Sequence, residues 1–262
     1  NLGKGSVISA MHKDAGLFSD AVATAHATLC YICKAKCTVG AGHHKEAGRQ
    51  GAAPVLSMFT FQQFTLHDEH CAMKVGTDGV LLGAWCPAER GAHLLDMGCG
   101  CGVVSLMMAQ RYPEAQVVGI DLDAEACADA RENVAASPFA DRVNIVDCRL
   151  QDYESVEKFD AIVSNPPFFL NSLKNPDSKR SMARHADSLP FRELFRGVKL
   201  LLSDDGVFSA IVPVEVLEAF ASEGYMHGFY LLRQCGIKTV ERKQPKRYLL
   251  TFAKHRSMEM DD

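Results

Sequence analysis

From Phe59 to Ala253, short apolar runs alternate with longer amphipathic stretches, at the spacing of strands and helices. His93–Met97 (HLLDM) reads as a buried strand, followed by a glycine-rich turn and a helix over Val103–Arg111. Gln116–Asp121 (QVVGID) is the next strand, then a helix runs from Ala124 to about Ala136, where Ser137-Pro138 stops it. Arg142–Asp147 and Phe159–Ser164 (FDAIVS) read as two more strands. A helix over Pro190–Leu202, a strand over Gly206–Val212 and a helix over Val214–Glu223 follow, with late strands near Phe229–Cys235 and Arg247–Ala253. Strand–helix repetition of this kind predicts an α/β fold with a doubly wound, mostly parallel sheet. The last strand has no helix before it, which predicts an antiparallel hairpin at one edge of the sheet.

Residues 1–57 have a different character. An amphipathic helix fits Ala15 to Lys34, and a Gly/His/Lys-rich stretch from Gly40 to Ala53 reads as linker. The chain is therefore expected to divide into an N-terminal appendage (1–57), one globular domain (58–256) and a short tail (257–262). Met58 stands directly before the regular pattern and is a candidate native initiator, which would make the appendage an accessory or upstream segment. Cys30-x-x-Cys33-x-x-x-Cys37, with His43 and His44 nearby, matches no complete structural zinc pattern, so no metal is expected. No apolar run reaches the roughly 20 residues of a membrane span, and the stretch Ala15–Cys33 is interrupted by Asp20 and His26. Most of the ten cysteines fall within expected strands and helices, a pattern that fits reduced thiols and a cytoplasmic location.

The run from Asp96 through Gly98, Gly100 and Gly102 closes the first strand and opens the first helix. Alternate glycines let the backbone turn sharply and come close to a ligand, because a Cβ there would collide with it. The G-x-G-x-G spacing departs from the G-x-G-x-x-G of a dinucleotide site. Asp121 ends the next strand about twenty residues on, placed either to accept the ribose hydroxyls of an adenosine or to cap a helix. Asp123, ahead of Ala124, is the better cap. A nicotinamide nucleotide would use the same glycines and acid, so these features alone leave a dehydrogenase open.

Asn165-Pro166-Pro167-Phe168 follows the fourth strand, on the side where an open sheet of this kind places its ligand. An aromatic amine is a poor nucleophile because its lone pair is delocalised into the ring. The side-chain oxygen of Asn165 and the carbonyl of Pro166 can each accept one of its N–H bonds, which aims the lone pair at an electrophilic methyl. Phe168 offers a flat face for an extruded base.

Class I methyltransferases that modify amines carry this N-P-P-[FY] tetrapeptide. The run Phe59–Trp85 (FTFQQFTLHDEHCAMKVGTDGVLLGAW), SNPPFF and PKRYLLTF together resemble the valine-tRNA adenine-N6 methyltransferases, over roughly Phe59–Ala253. The resemblance implies a Rossmann-like class I fold of seven strands, S-adenosyl-L-methionine as cofactor, and adenine 37 beside a tRNA anticodon as target. It also implies that Lys74, Thr77 and Asp78 form a lid over the cofactor, although Thr77 or Asp78 would equally cap a helix over Gly79–Trp85. Asp96, Gly98, Gly100, Gly102, Asp121 and Asn165 complete the expected cofactor set. After the third strand, relatives usually place an acid where it can reach the cofactor's adenine; Arg149 stands there in this chain, and Asp147 is the substitute.

The net charge of −4 hides an uneven distribution. Lys174, Lys179, Arg180, Arg184, Arg192, Arg196 and Lys199 crowd the stretch after the tetrapeptide, and Lys246 and Arg247 belong to a second basic run ending at Arg256. Such clusters fit a phosphate-tracking surface. Pro167, Phe169, Lys179, Arg180, Arg184, Lys246 and Arg247 are accordingly expected to meet the tRNA anticodon stem-loop. Two alternatives stand beside this reading: methylation of a protein glutamine amide, which uses a similar turn, and a non-catalytic S-adenosylmethionine-binding RNA scaffold.

Overall fold

The computed structural model describes residues 58–89, 92–167, 190–238, 240 and 242–256. The expectations for residues 1–57 and 257–262 lie outside these, as do Phe168, Phe169, Lys179, Arg180 and Arg184. In chain order the elements are strands β1 (Met58–Thr60) and β2 (Thr65–His67), helix α1 (Thr77–Trp85), β3 (His93–Met97), α2 (Val103–Arg111), β4 (Gln116–Asp121), α3 (Ala124–Ala135), β5 (Val143–Asp147) and β6 (Phe159–Ser164). Then come α4 (Phe191–Leu201), β7 (Leu202–Pro213), α5 (Leu217–Met226), β8 (Tyr230–Ile237) and β9 (Arg247–Ala253), with single 3-10 turns at Leu150–Asp152 and Val214–Val216.

β1 and β2 form a small antiparallel hairpin that the apolar pattern does not announce, each strand being only three residues long. The other seven strands form one sheet in the order β5-β4-β3-β6-β7-β9-β8. Neighbours from β5 to β7 run parallel. The edge strand β8 pairs antiparallel with β9, the hairpin expected from the sequence, and β9 in turn runs against β7.

Alternation along the central strands feeds two cores. Leu94, Ala161, Val163 and Leu249 point into a core shared with α1 and α2, through Leu82, Leu106 and Met107. Leu95, Met97, Ile162, Leu250 and Phe252 point the other way, against α4 and α5. The second core centres on Phe195, whose ring lies 5.0–5.8 Å from those of Phe208, Phe220, Phe229 and Phe252. With helices on both faces, β3 and β6 are buried almost throughout, which is why they read as continuous apolar runs.

Two elements, β7 and α5, are displaced from the expectation. β7 begins at Leu202, four residues early, because Leu202 pairs with Phe159 before a register shift brings Val207 opposite Ala161. The Ser203–Asp205 stretch between the expected helix and the expected strand is thus carried as an irregularity within β7. Val214–Val216 forms a separate 3-10 turn, so α5 starts only at Leu217. Asp123 caps α3 as expected, its side chain accepting from Glu125 N at 3.0 Å and Ala126 N at 3.3 Å. Asp123→Ala should cost about 1 kcal/mol, seen in a calorimetric scan as a Tm about 2–4 °C lower.

Candidate active site

The chain leaves β3 toward β4 and β5, then returns to lay β6 on the opposite flank of β3. At such a switch point the loops on the two sides diverge, and a crevice opens beyond the carboxyl ends of the strands. A cavity of about 900 Å³ occupies that place. Its walls are the turn Met97–Cys101 after β3, Ile120–Asp123 after β4, Cys148–Gln151 after β5, Ser164–Pro167 after β6, and the strap Cys71–Gly79 that joins β2 to α1.

The glycine turn is held by the neighbouring strand: Gly98 N and Cys99 N both donate to Ile120 O, at 2.8 and 3.0 Å. Gly98, Gly100 and Gly102 all have φ between +52° and +83°, the left-handed region that disfavours a side chain. Their surroundings differ. A Cβ at Gly98 would meet nothing within 4 Å, so the backbone there is open to a ligand, whereas one at Gly102 would meet Ala130 Cβ at 3.5 Å. Gly102 is therefore the packing glycine, set against α3 and outside the cavity wall.

Asp121 lines the cavity and is half-buried. Its carboxylate accepts from Gly100 N at 2.9 Å and from Asp123 N at 3.0 Å, so it braces the glycine turn as well as facing the crevice. Asp96 lies one residue behind the lining and is fully buried. Burial pushes its carboxyl up to about 7, although the Ser105 hydroxyl, donating to Oδ2 at 2.6 Å, works in the opposite direction. Its other oxygen, Oδ1, is buried with no partner among the described residues. A glycine turn with open backbone, backed by a buried carboxyl oxygen without a partner among the described residues, fits a polar ligand at this turn. Asp147 is exposed at the end of β5 and is not part of the wall; the adjoining Cys148, Arg149, Leu150 and Gln151 are.

Ser164, opposite Met97 in the β3–β6 ladder, donates through Oγ to Met97 O at 2.8 Å and ties the end of β6 to the glycine turn. Asn165, Pro166 and Pro167 follow directly and line the cavity, with Pro166 buried and Pro167 exposed. Asn165 Nδ2 is turned toward Met73 Sδ at 3.9 Å. A thioether can only accept, so this contact leaves the amide oxygen of Asn165 as the acceptor for an incoming donor.

Lys74, Thr77 and Asp78 all lie along the cavity wall. Neither Thr77 nor Asp78 caps α1: the helix starts at Thr77 itself, and its N-cap is Gly76, extended and without a side-chain cap bond. Lys74 Nζ donates to the carbonyl oxygens of Asp68 and Glu69 and thereby folds the strap on itself. Asp78 and Arg247, expected at the cofactor and at the RNA respectively, meet each other, with Arg247 Nε 2.9 Å from Asp78 Oδ2. Lys246 is exposed and lies outside the cavity wall. Met73, Cys71, Leu122 and Cys148 also line the cavity and were not singled out from the sequence. An apolar residue carries no chemical signal of its own; only the fold brings these four to one place.

Residues 67–190 match the family model of the methyltransferase small domain. A tRNA1(Val) (adenine(37)-N6)-methyltransferase of Bacteroides thetaiotaomicron is 46% identical over 195 residues, covering 74% of this chain and 82% of that protein. The Porphyromonas gingivalis protein of the same description is 42% identical, covering 73% of this chain and 79% of its own length. Among solved structures, TYW2 of P. horikoshii in complex with MeSAdo shares the fold at 14% identity, with a TM-score of 0.54 over 78% of this chain and 74% of that one. The sheet order and the matched family model make this a class I methyltransferase. Within that class, the chain belongs to the tRNA1(Val) (adenine(37)-N6)-methyltransferase family.

Proposed function

We propose that this protein transfers a methyl group from S-adenosylmethionine to the N6 amine of an adenine in tRNA, with adenine 37 of valine tRNA as the target. The observation that carries the reading is that Asn165-Pro166-Pro167 line the same cavity as the glycine turn. Gly98 and Gly100 would take the methionine end of the cofactor, with Asp96 buried directly behind them. Asp121 would take the ribose hydroxyls, and Leu122, half-exposed on the wall beside it, gives an apolar face to the adenine. When bound, S-adenosylmethionine supplies an electrophilic methyl on a sulfonium.

The chain's own part is to orient the amine. Asn165 Oδ1 and the Pro166 carbonyl accept its two N–H bonds and hold the lone pair toward the crevice. Positive charge that grows on the nitrogen during attack strengthens both bonds, so the arrangement favours the transition state over the ground state. The neutral Asn suffices, because the proton leaves only after the new N–C bond has formed. Phe168 is proposed to stack on the extruded base, and Pro167, Phe169, Lys179, Arg180, Arg184, Lys246 and Arg247 to meet the anticodon stem-loop. Exposed Arg192, Arg196 and Lys199 on α4, and Arg242, Lys243 and Lys246 ahead of β9, provide further positive charge for phosphates.

Among the described residues no helix is long and apolar enough to cross a membrane, and no group of side chains is suited to a metal. The seven described cysteines are free thiols, which suits the reducing cytoplasm proposed as its location. The reading is tested by offering purified protein labelled S-adenosylmethionine with unmodified tRNA and, separately, with a glutamine-bearing protein acceptor. Label is expected in tRNA alone; label in the glutamine amide alone would replace the proposal, and no transfer to either would favour a binding scaffold.

A further inference from the structure

The strap over the cavity is fastened from outside the cavity, by one face of α3. Asp129, fully buried, accepts from His70 N at 2.8 Å and Cys71 N at 3.2 Å through Oδ2, and from His70 Nδ1 at 2.6 Å through Oδ1. One turn later Asn133 accepts from His67 N at 2.8 Å and donates to His67 O at 2.7 Å. The same Asn133 amide donates to Cys101 O, in the glycine turn, at 2.9 Å. Ala126 and Ala130, on the same face, pack against the Cys71–Cys101 contact and beneath Gly102. α3 thus grips two walls of the cavity at once, and no atom of Asp129 or Asn133 lines the cavity itself.

We infer that Asp129 is a positioning residue for cofactor binding, which it controls by holding the strap Cys71–Asp78 closed against the glycine turn. The inference rests on the reading of the cavity as the S-adenosylmethionine site. Its physical basis is the type of bond. A buried carboxylate that accepts three hydrogen bonds from one two-residue segment is hard to replace with water, because any opening leaves the charge without partners. Burial alone would raise the Asp129 carboxyl, but the His70 ring and the two backbone amides outweigh it and hold it below the usual carboxylate range. The negative charge is therefore kept, and with it the strength of the anchor. From the anchored residues the strap runs directly into Met73, at Asn165, and Val75–Asp78 along the wall.

Asp129→Asn tests this with little change of volume. The variant removes the charge, so the two strap amides and the His70 ring lose the charge-assisted character of their bonds even where an amide oxygen or nitrogen still reaches them. If closure falls to about one part in ten, the apparent cofactor affinity falls about tenfold, since affinity scales with the competent fraction. Calorimetry with S-adenosylmethionine alone should show that weakening, with kcat at saturating cofactor within about twofold of wild type. Hydrogen exchange should quicken in the peptide spanning 68–76 while β3 and β6 stay protected. A general loss of packing would instead loosen the sheet. Should Asp129→Asn not fold, His70→Gln removes only the ring bond and should raise the cofactor Kd about threefold. Unchanged affinity in the folded variant, or faster exchange throughout the sheet, overturns the inference. Wild-type protein that fails to bind S-adenosylmethionine would overturn the reading of the site instead.

Discussion

Asn165→Ala is expected to lower turnover by about 10²–10³-fold, or roughly 3–4 kcal/mol, as for the loss of one preorganised hydrogen-bonding group. Cofactor affinity should change little, because the amide's work is done on the incoming amine. Asn165 is only half-buried, on the wall of the cavity, and its bond to Met73 Sδ at 3.9 Å is weak, so removing its amide should leave the fold intact. Single-turnover rates with saturating tRNA and cofactor separate the chemical step from binding. Asn165→Asp is the sharper comparison. It keeps an oxygen acceptor of the same reach, and its charge attracts the nitrogen as that atom becomes positive, so partial activity is expected to survive. An Asn165→Ala protein with wild-type single-turnover rates would reduce the tetrapeptide to a structural turn.

Asp121→Ala should weaken S-adenosylmethionine binding by about 1.5–3 kcal/mol, the range for hydrogen bonds to a charged group, which is roughly a 10–150-fold rise in Kd. Two losses combine here. The ribose loses its acceptor, and Gly100 N loses the carboxylate that fixes it at 2.9 Å. Asp121→Asn retains an oxygen that can still accept from Gly100 N, so its Kd should fall between those of wild type and Ala. Calorimetry on the three proteins measures the series. Equal Kd values would remove Asp121 from the site. NAD serves as the control ligand and is expected not to bind, since it is the competing occupant that a glycine turn followed by a strand-end acid would accept.

What the sequence reveals of this molecule follows from how local each feature is. β3, the glycine turn and α2 are consecutive in the chain, so the apolar run, the alternating glycines and the helical pattern are visible together. Asp121 and Asn165 are legible because one ends a strand and the other directly follows one, and in a parallel sheet all such ends open on one side. The strap is another matter. Its resemblance to known relatives marks Lys74, Thr77 and Asp78, but what fixes it comes from Asp129 and Asn133, between 58 and 66 residues away. No spacing rule links a helix carboxylate to two amides at that distance. Thr77 and Asp78 read as caps from residue type, yet Gly76 is the N-cap, and Asp78 is drawn to Arg247 across 169 residues instead. The early start of β7 is hidden for a similar reason: the expected strand begins at Gly206, while pairing of Leu202 with the distant Phe159 starts it four residues earlier.

An adenine N6 amine at position 37 of valine tRNA is expected to accept the methyl. The most direct measurement uses two valine-tRNA transcripts, one natural and one with adenine 37 replaced by guanine, each incubated with the protein and S-adenosylmethionine. Nuclease digestion and mass mapping then locate any added methyl. N6-methyladenosine is expected at position 37 of the natural transcript, and no methylation of the substituted one. Equal methylation of both transcripts, or a methyl group found on another base or on a ribose, would contradict it.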